Sequence, residues 1–221
     1  MNPTDSLSEL RSEMERVYRF YAAMARELDP ETGLGGKLVW AGELDAEGSR
    51  LVRAANIAGA ASLSAAADPA AQREAIHQGV IDFLVTSLNE ALRILKNELR
   101  KRNAVAVGVT DGAERIAEEM RERGVLPDLL RAPAASDVAA GFVKQGARVI
   151  APATLPEGCD FRVFANPPAD FDARALSLVP EWDTAMRRWL RLSPRYLGPQ
   201  ARRVRSIECD DGMAEQLNRN V

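Results

Sequence analysis

Residues 80–120 read VIDFLVTSLNEALRILKNELRKRNAVAVGVTDGAERIAEEM. Two short apolar runs, Phe83-Leu84-Val85 and Val105-Ala106-Val107, flank a stretch with Leu88, Ala91, Leu92, Leu95 and Leu99 on one helical face. Ser87 followed three residues later by Glu90 has capping-box spacing, and Asp111 followed by Glu114 repeats it. Strand, capped helix, strand, capped helix is the signature of right-handed βαβ crossovers and a parallel sheet. Runs as apolar as these are expected to be covered on both faces.

The same alternation extends both ways. Lys37–Ala41 reads as a first strand, followed by a helix from about Glu47 to Gly59. A second strand, Ala61–Ala67, leads to Asp68-Pro69, an N-cap followed by proline at the first helical position, and Gly79 closes that helix. The strands Val80–Thr86 and Ala104–Thr110 follow, then one at Asp128–Leu130, a short helix opened by Ser136-Asp137, and Arg148–Ile150. The fold class is therefore α/β: a three-layer Rossmann-like parallel sheet with helices on both faces. An N-terminal heptad helix and a C-terminal α+β extension are added to it. The expected divisions are residues 1–32, 33–150 and 151–221, the last packed on the same domain.

The heptad helix runs from about Ser6 to Leu28, with Leu7, Leu10, Met14, Val17, Tyr21, Met24 and Leu28 at alternating spacings of three and four. This is the narrow a/d stripe of a helix that meets another helix. With Tyr18 and Phe20 added, it carries more apolar surface than one groove needs, which predicts a homodimer through this helix. Each large side chain buried in such a contact is worth about 1.5–3 kcal/mol. In the extension, Asp160–Ala165 and Ala201–Cys209 read as strands and Glu181–Leu192 as a helix.

Bulk properties exclude several classes. There are 29 Lys and Arg against 32 Asp and Glu, a net charge of −3, which argues against a nucleic-acid partner. No run approaches the length of a membrane span and the N-terminus carries no secretory pattern, so a cytoplasmic protein is expected. One histidine, His77, and two cysteines, Cys159 and Cys209, leave no metal-ligand spacing, so no metal site is expected and a His-dependent catalytic device is disfavoured. His77 reads as a residue of a helix C-terminus, and the cysteines as free thiols unless the last strand pairs beside the first strand of the extension.

From about Tyr18 to Ala147 the order of motifs resembles the central NAD-binding Rossmann-like domain of urocanase (urocanate hydratase). The pieces that carry it are Arg19-Phe20-Tyr21-Ala22-Ala23-Met24-Ala25-Arg26 leading into Gly35-Gly36-Lys37-Leu38-Val39, then Asp68-Pro69, Gly79-Val80-Ile81-Asp82, Ser87-Leu88-Asn89-Glu90-Ala91-Leu92 and Arg123-Gly124-Val125-Leu126-Pro127-Asp128. The resemblance implies a fold built to hold tightly bound NAD, used in that family as an electrophile that attaches to an imidazole ring. It also implies that the reacting groups come from a separate core domain, and nothing in this sequence matches them. No catalytic residue is therefore assigned.

The residues set against a cofactor are Gly42, Gly48, Ser49, Asp68 and Thr86. A phosphate loop needs glycines where backbone approaches the pyrophosphate at a helix N-terminus. Here the loop reads Ala41-Gly42-Glu43-Leu44-Asp45-Ala46-Glu47-Gly48-Ser49, with two glycines and three carboxylates. Each close pair of like charges would cost on the order of 1–4 kcal/mol. The ribose-binding acid expected at the end of the second strand is replaced by Ala65, Ala66 and Ala67. Asp68 is the nearest carboxylate, and capping accounts for it. No bound cofactor is expected, with NAD as the alternative.

Arg187, Arg188, Arg191, Arg195, Arg202, Arg203 and Arg205 are interleaved with Trp189 and Tyr196. They are read as partners of the chain's own acids, including the carboxylates of that loop, across a contact within or between subunits, with a small anionic ligand near Arg187, Arg188 and Arg191 as the alternative. Two functions follow. One is a urocanase-related module without a catalytic core that binds a ligand or partner. The other is an enzyme or enzyme subunit binding NAD or another phosphate-bearing ligand through Gly42, Gly48 and the arginine-rich tail.

Overall fold

The computed structural model describes residues 3–25, 28–133 and 136–218. Helix α1 (Pro3–Ala25) precedes a repeated alternation: β1 (Leu38–Glu43), α2 (Ala46–Ala58), β2 (Ala61–Ala65), α3 (Pro69–His77), β3 (Phe83–Val85), α4 (Leu88–Lys101), β4 (Val105–Val109), α5 (Ala113–Glu122), β5 (Leu129–Arg131), α6 (Asp137–Lys144) and β6 (Arg148–Ile150). The strands form one sheet in the order β3-β4-β2-β1-β5-β6, every neighbouring pair parallel. Chain direction across the sheet reverses between β1 and β5. The crevice beyond their carboxyl ends is where open α/β sheets bind ligands.

The pleat explains the layers. In β1, Leu38 and Trp40 face a core shared with α4, α5 and α6, while Val39 and Ala41 face one shared with α1, α2 and α3. The capping signals largely hold. The Asp68 carboxylate accepts from the amides of Ala70 and Ala71, the Ser87 hydroxyl accepts from Glu90 N, and Ser136 accepts from Ala139 N.

Some expectations are corrected. The Phe83-Leu84-Val85 run is not buried on both faces: β3 is the sheet edge, and Phe83 is 48% exposed. Asp111 is not the N-cap of α5. Gly112 holds that place, and the Asp111 carboxylate accepts from Gly112 N and pairs with Arg115. The expected helix end near Leu28 falls partly on residues 26 and 27, outside the described residues.

The extension contains β7 (Asp160–Ala165), α7 (Phe171–Leu178), α8 (Thr184–Tyr196), β8 (Val204–Cys209) and α9 (Asp211–Asn218). β7 and β8 pair antiparallel, with Asp160 opposite Cys209. The strand therefore does return beside Cys159. That residue lies one position beyond the pair, and both thiols are free. Burial pushes the Cys209 thiol up to about 11, which keeps it protonated and unreactive.

The apolar surplus of α1 is used within the chain. Tyr18 packs edge-on against Trp189 at 4.8 Å and against Phe161 at 5.2 Å, and the Tyr21 hydroxyl donates to Ala185 O at 2.6 Å. Met14, Val17, Phe20 and Met24 are buried as well. Much of the apolar surface that pointed to a second copy is covered by the extension, while Leu7 at the start of the stripe stays 40% exposed.

Candidate functional site

Chain geometry at the switch point is set by two glycines. Gly42 has φ +71° and sits at an irregularity in the β1–β2 register, beyond which β1 pairs on to Glu43. Gly48 lies in the first turn of α2, where an added Cβ would stand 2.1 Å from Glu43 O. The helix can approach the strand end this closely only without a side chain there.

The three carboxylates of this loop all have partners. Glu43 reaches across to the α5 N-terminus and accepts from Ala113 N at 3.3 Å. Asp45 is the N-cap of α2, accepting from Gly48 N at 2.7 Å, and it also pairs with Arg131 at the end of β5. Arg131 further donates to Glu43 O at 3.3 Å. Glu47 pairs with Arg50, whose guanidinium also holds Glu13 of α1 at 2.6 Å. The hydrogen bonds to Glu13 hold the Arg50 charge firmly, raising its pKa above the usual guanidinium value despite burial.

The loop acids are compensated from outside the loop. Arg131 and Arg50 supply the neutralising charge, one from the next strand of the crevice and one from inside α2. The Gly48 amide, the donor a pyrophosphate would need, already serves Asp45. Arg131 crosses the seam between β1 and β5.

Of the other residues set against a cofactor, Thr86 lies farthest across the sheet from this loop. Thr86 follows the edge strand β3, with β4 and β2 between it and β1, and both its amide and its hydroxyl donate to Glu90. Asp68 is committed to the first turn of α3. Ser49 stays close, but it lines a different space.

That space is a cleft of about 690 Å³ bounded by α1, the start of α2, and α3. Met14, Val17, Leu44 and Val80 give it an apolar floor, and Glu9 and Glu74 stand at its rim. Arg53 also lines it, only 9% exposed, donating to Tyr196 O at 2.5 Å and to Gln78 O at 3.0 Å. Burial lowers the Arg53 pKa, with Glu13 acting in the opposite sense.

Sequence reasoning missed Arg131, Arg53 and Glu13. A basic residue closing the strand after the switch point was the available signal for Arg131. Arg53, inside a helix that is otherwise buried nearly all round, was the signal for a cation with a specific task. Three arginines of the extension, Arg202, Arg203 and Arg205, line one pocket together with Asp172. Arg187 donates to the carbonyls of Leu176 and Val179, Arg188 to Ile57 O, and Arg205 pairs with Asp172. Arg191 is exposed. The loop acids are thus paired by Arg131 and Arg50, not by these residues.

Comparison with known proteins agrees with the topology. Residues 17–157 match the urocanase Rossmann-like domain. S-methyl thiourocanate hydratase from Variovorax sp. is 25% identical over 113 residues, covering 51% of this chain and 21% of that protein. The match thus takes in about a fifth of that relative's length. With the family's domain matched across most of the chain, and its parallel sheet and switch point in place, this protein belongs to the urocanase Rossmann-like domain family.

Proposed function

We propose that this chain is a non-catalytic ligand-binding module in which the Rossmann-like frame is kept and the dinucleotide seat is filled by the protein's own side chains. The observation that carries this reading is the Asp45 carboxylate on the Gly48 amide, tied across the crevice to Arg131. A phosphate entering there would have to displace a cap and an ion pair together. The cleft beside it, with an apolar floor and a few convergent polar groups, has the ordinary make-up of a small-molecule site. Hydratase activity, which the name of the relative carries, is left out of this reading because the Gly48 amide is already bonded to Asp45. Pairing of two copies through α1 is not part of this reading, since Tyr18, Tyr21 and Met24 are packed within the chain and Leu7 is the large apolar residue of its stripe left exposed.

The test is a thermal-unfolding titration with NAD and NADP. A ligand that binds only the native state must raise the midpoint. No shift is expected at millimolar concentration. A saturable rise with either nucleotide would overturn the proposal and favour the cofactor-binding enzyme subunit instead.

A further inference from the structure

Arg53 stands out among the cations of this chain. A guanidinium has five N–H donors, and the two bonds Arg53 makes are both to backbone carbonyls, which carry no full charge. Among the described residues no carboxylate pairs with it. The acid that acts on it from a distance, Glu13, is already bonded to Arg50. A buried charge without a counter-charge is costly, and buried charges are ordinarily paired. Arg53 nevertheless lines an open cleft, where a ligand carboxylate can complete it in bidentate fashion.

The rim has the opposite bias. Among the described residues the exposed Glu9 has no cationic partner, and Glu74 makes one side-chain hydrogen bond, from Gln78. Asp45 and Glu13 also line the cleft but are spent on Arg131 and Arg50. A simple anion would have to pass two unpaired carboxylates, and a simple cation would leave Arg53 uncompensated. Between them lies the apolar floor.

We infer that this cleft binds a small zwitterion with an apolar body, its carboxylate on Arg53, its ammonium group at Glu9 and Glu74, and its body over Met14, Val17 and Leu44. The inference rests on the ligand-binding reading above and names the class of ligand for it.

Isothermal titration of the full chain with tryptophan, tryptamine and indole-3-propionate tests each part, since the three share a ring and differ only in charge. Tryptophan is expected to bind at least tenfold more tightly than either of the others. Backbone amide shifts at Leu44 and Ser49 should move in NMR spectra on its addition. Arg53→Gln should remove the advantage of tryptophan over tryptamine, and Glu9→Gln with Glu74→Gln its advantage over indole-3-propionate. Should Arg53→Gln fail to fold, the three-ligand comparison on the unaltered protein decides. Equal binding of tryptamine overturns the role of Arg53, and equal binding of indole-3-propionate overturns the rim. No binding of any of the three at millimolar concentration, or shifts confined to other residues, overturns the site. Neither outcome touches the nucleotide result, so the two proposals fail separately.

Discussion

At the residue scale, the two loop glycines do different work and should respond differently to the same change. Gly48→Ala places a methyl group 2.1 Å from a backbone oxygen, and only movement of α2 against β1 can relieve it. A loss of about 1–3 kcal/mol or more is expected from such overpacking. Gly42→Ala meets its nearest atom, in the Arg131 guanidinium, at 3.6 Å and has mainly the strain of φ +71° to bear, about 1–2 kcal/mol. Urea unfolding of the two variants checks the order, and a Gly42→Ala loss exceeding that of Gly48→Ala would contradict the close-approach account. Glu208 offers a pH-dependent counterpart. Burial raises its pKa above the usual carboxylate value, helped by nearby Asp183, while a hydrogen bond from the Tyr18 hydroxyl opposes the rise. The folded state therefore holds the proton more tightly than the unfolded one. That contribution to stability is fully present below the ordinary value of 4.5 and is lost as pH rises through the raised one. Glu208→Gln should flatten this part of the stability profile and leave the protein at least as stable at pH 7, measured by denaturant unfolding across that range.

At the element scale, the seam between α1 and the extension depends on Trp189. The residue is fully buried, touches Tyr18 and Tyr21, and donates its indole N–H to Ser206 O at 3.0 Å. Trp189→Ala should cost about 3–5 kcal/mol. Trp182→Ala, at an 82% exposed position, should change stability by no more than about 0.5 kcal/mol, and denaturant midpoints compare the two directly. Legibility in the sequence follows the same division between local and distant. Caps were readable because the Asp68-Pro69 and Ser87 to Glu90 pairings lie within four residues. The Glu43 contact with the α5 N-terminus and the Arg131 bond to the β1 loop join positions 70 and 88 residues apart, and no local pattern announces them. The Asp111 cap failed locally instead, since Gly112 took the capping position while the Asp111 carboxylate turned to Gly112 N and to Arg115 four residues on. In the extension, α7 and α9 are only 8 residues each and lacked a strong period, while α8 runs on past Pro194 into its last turn. Of the candidate site, the loop was found and its partners were not.

At the scale of the whole molecule, one apolar core runs from the α2 face of the sheet through α1 into the extension, including Leu51 and Ile57 of α2, Met14 and Tyr21 of α1, and Trp189 and Phe161 beyond. Polar ties cross the same boundary. Arg188 donates to Ile57 O at 2.7 Å, and Arg53 donates both to Tyr196 O in the extension and to Gln78 O beside α3. A contact of this extent couples the stabilities of the parts it joins, so the sheet and the extension should unfold together. The tryptophans allow this to be read separately. With Trp182→Phe and Trp189→Phe, fluorescence reports only Trp40 in β1; with Trp40→Phe and Trp182→Phe, it reports only Trp189 in α8. Each substitution shifts stability somewhat, so each fluorescence midpoint is compared with the far-UV circular dichroism midpoint of the same variant. Coincidence within both variants is expected, with one transition and one slope. An earlier Trp189 transition, with the dichroism of the sheet intact, would make the extension a separate unit. The cleft would then lose the carbonyl of Tyr196 that helps hold Arg53 in place, while the Asp45–Arg131 lock across the switch point would persist.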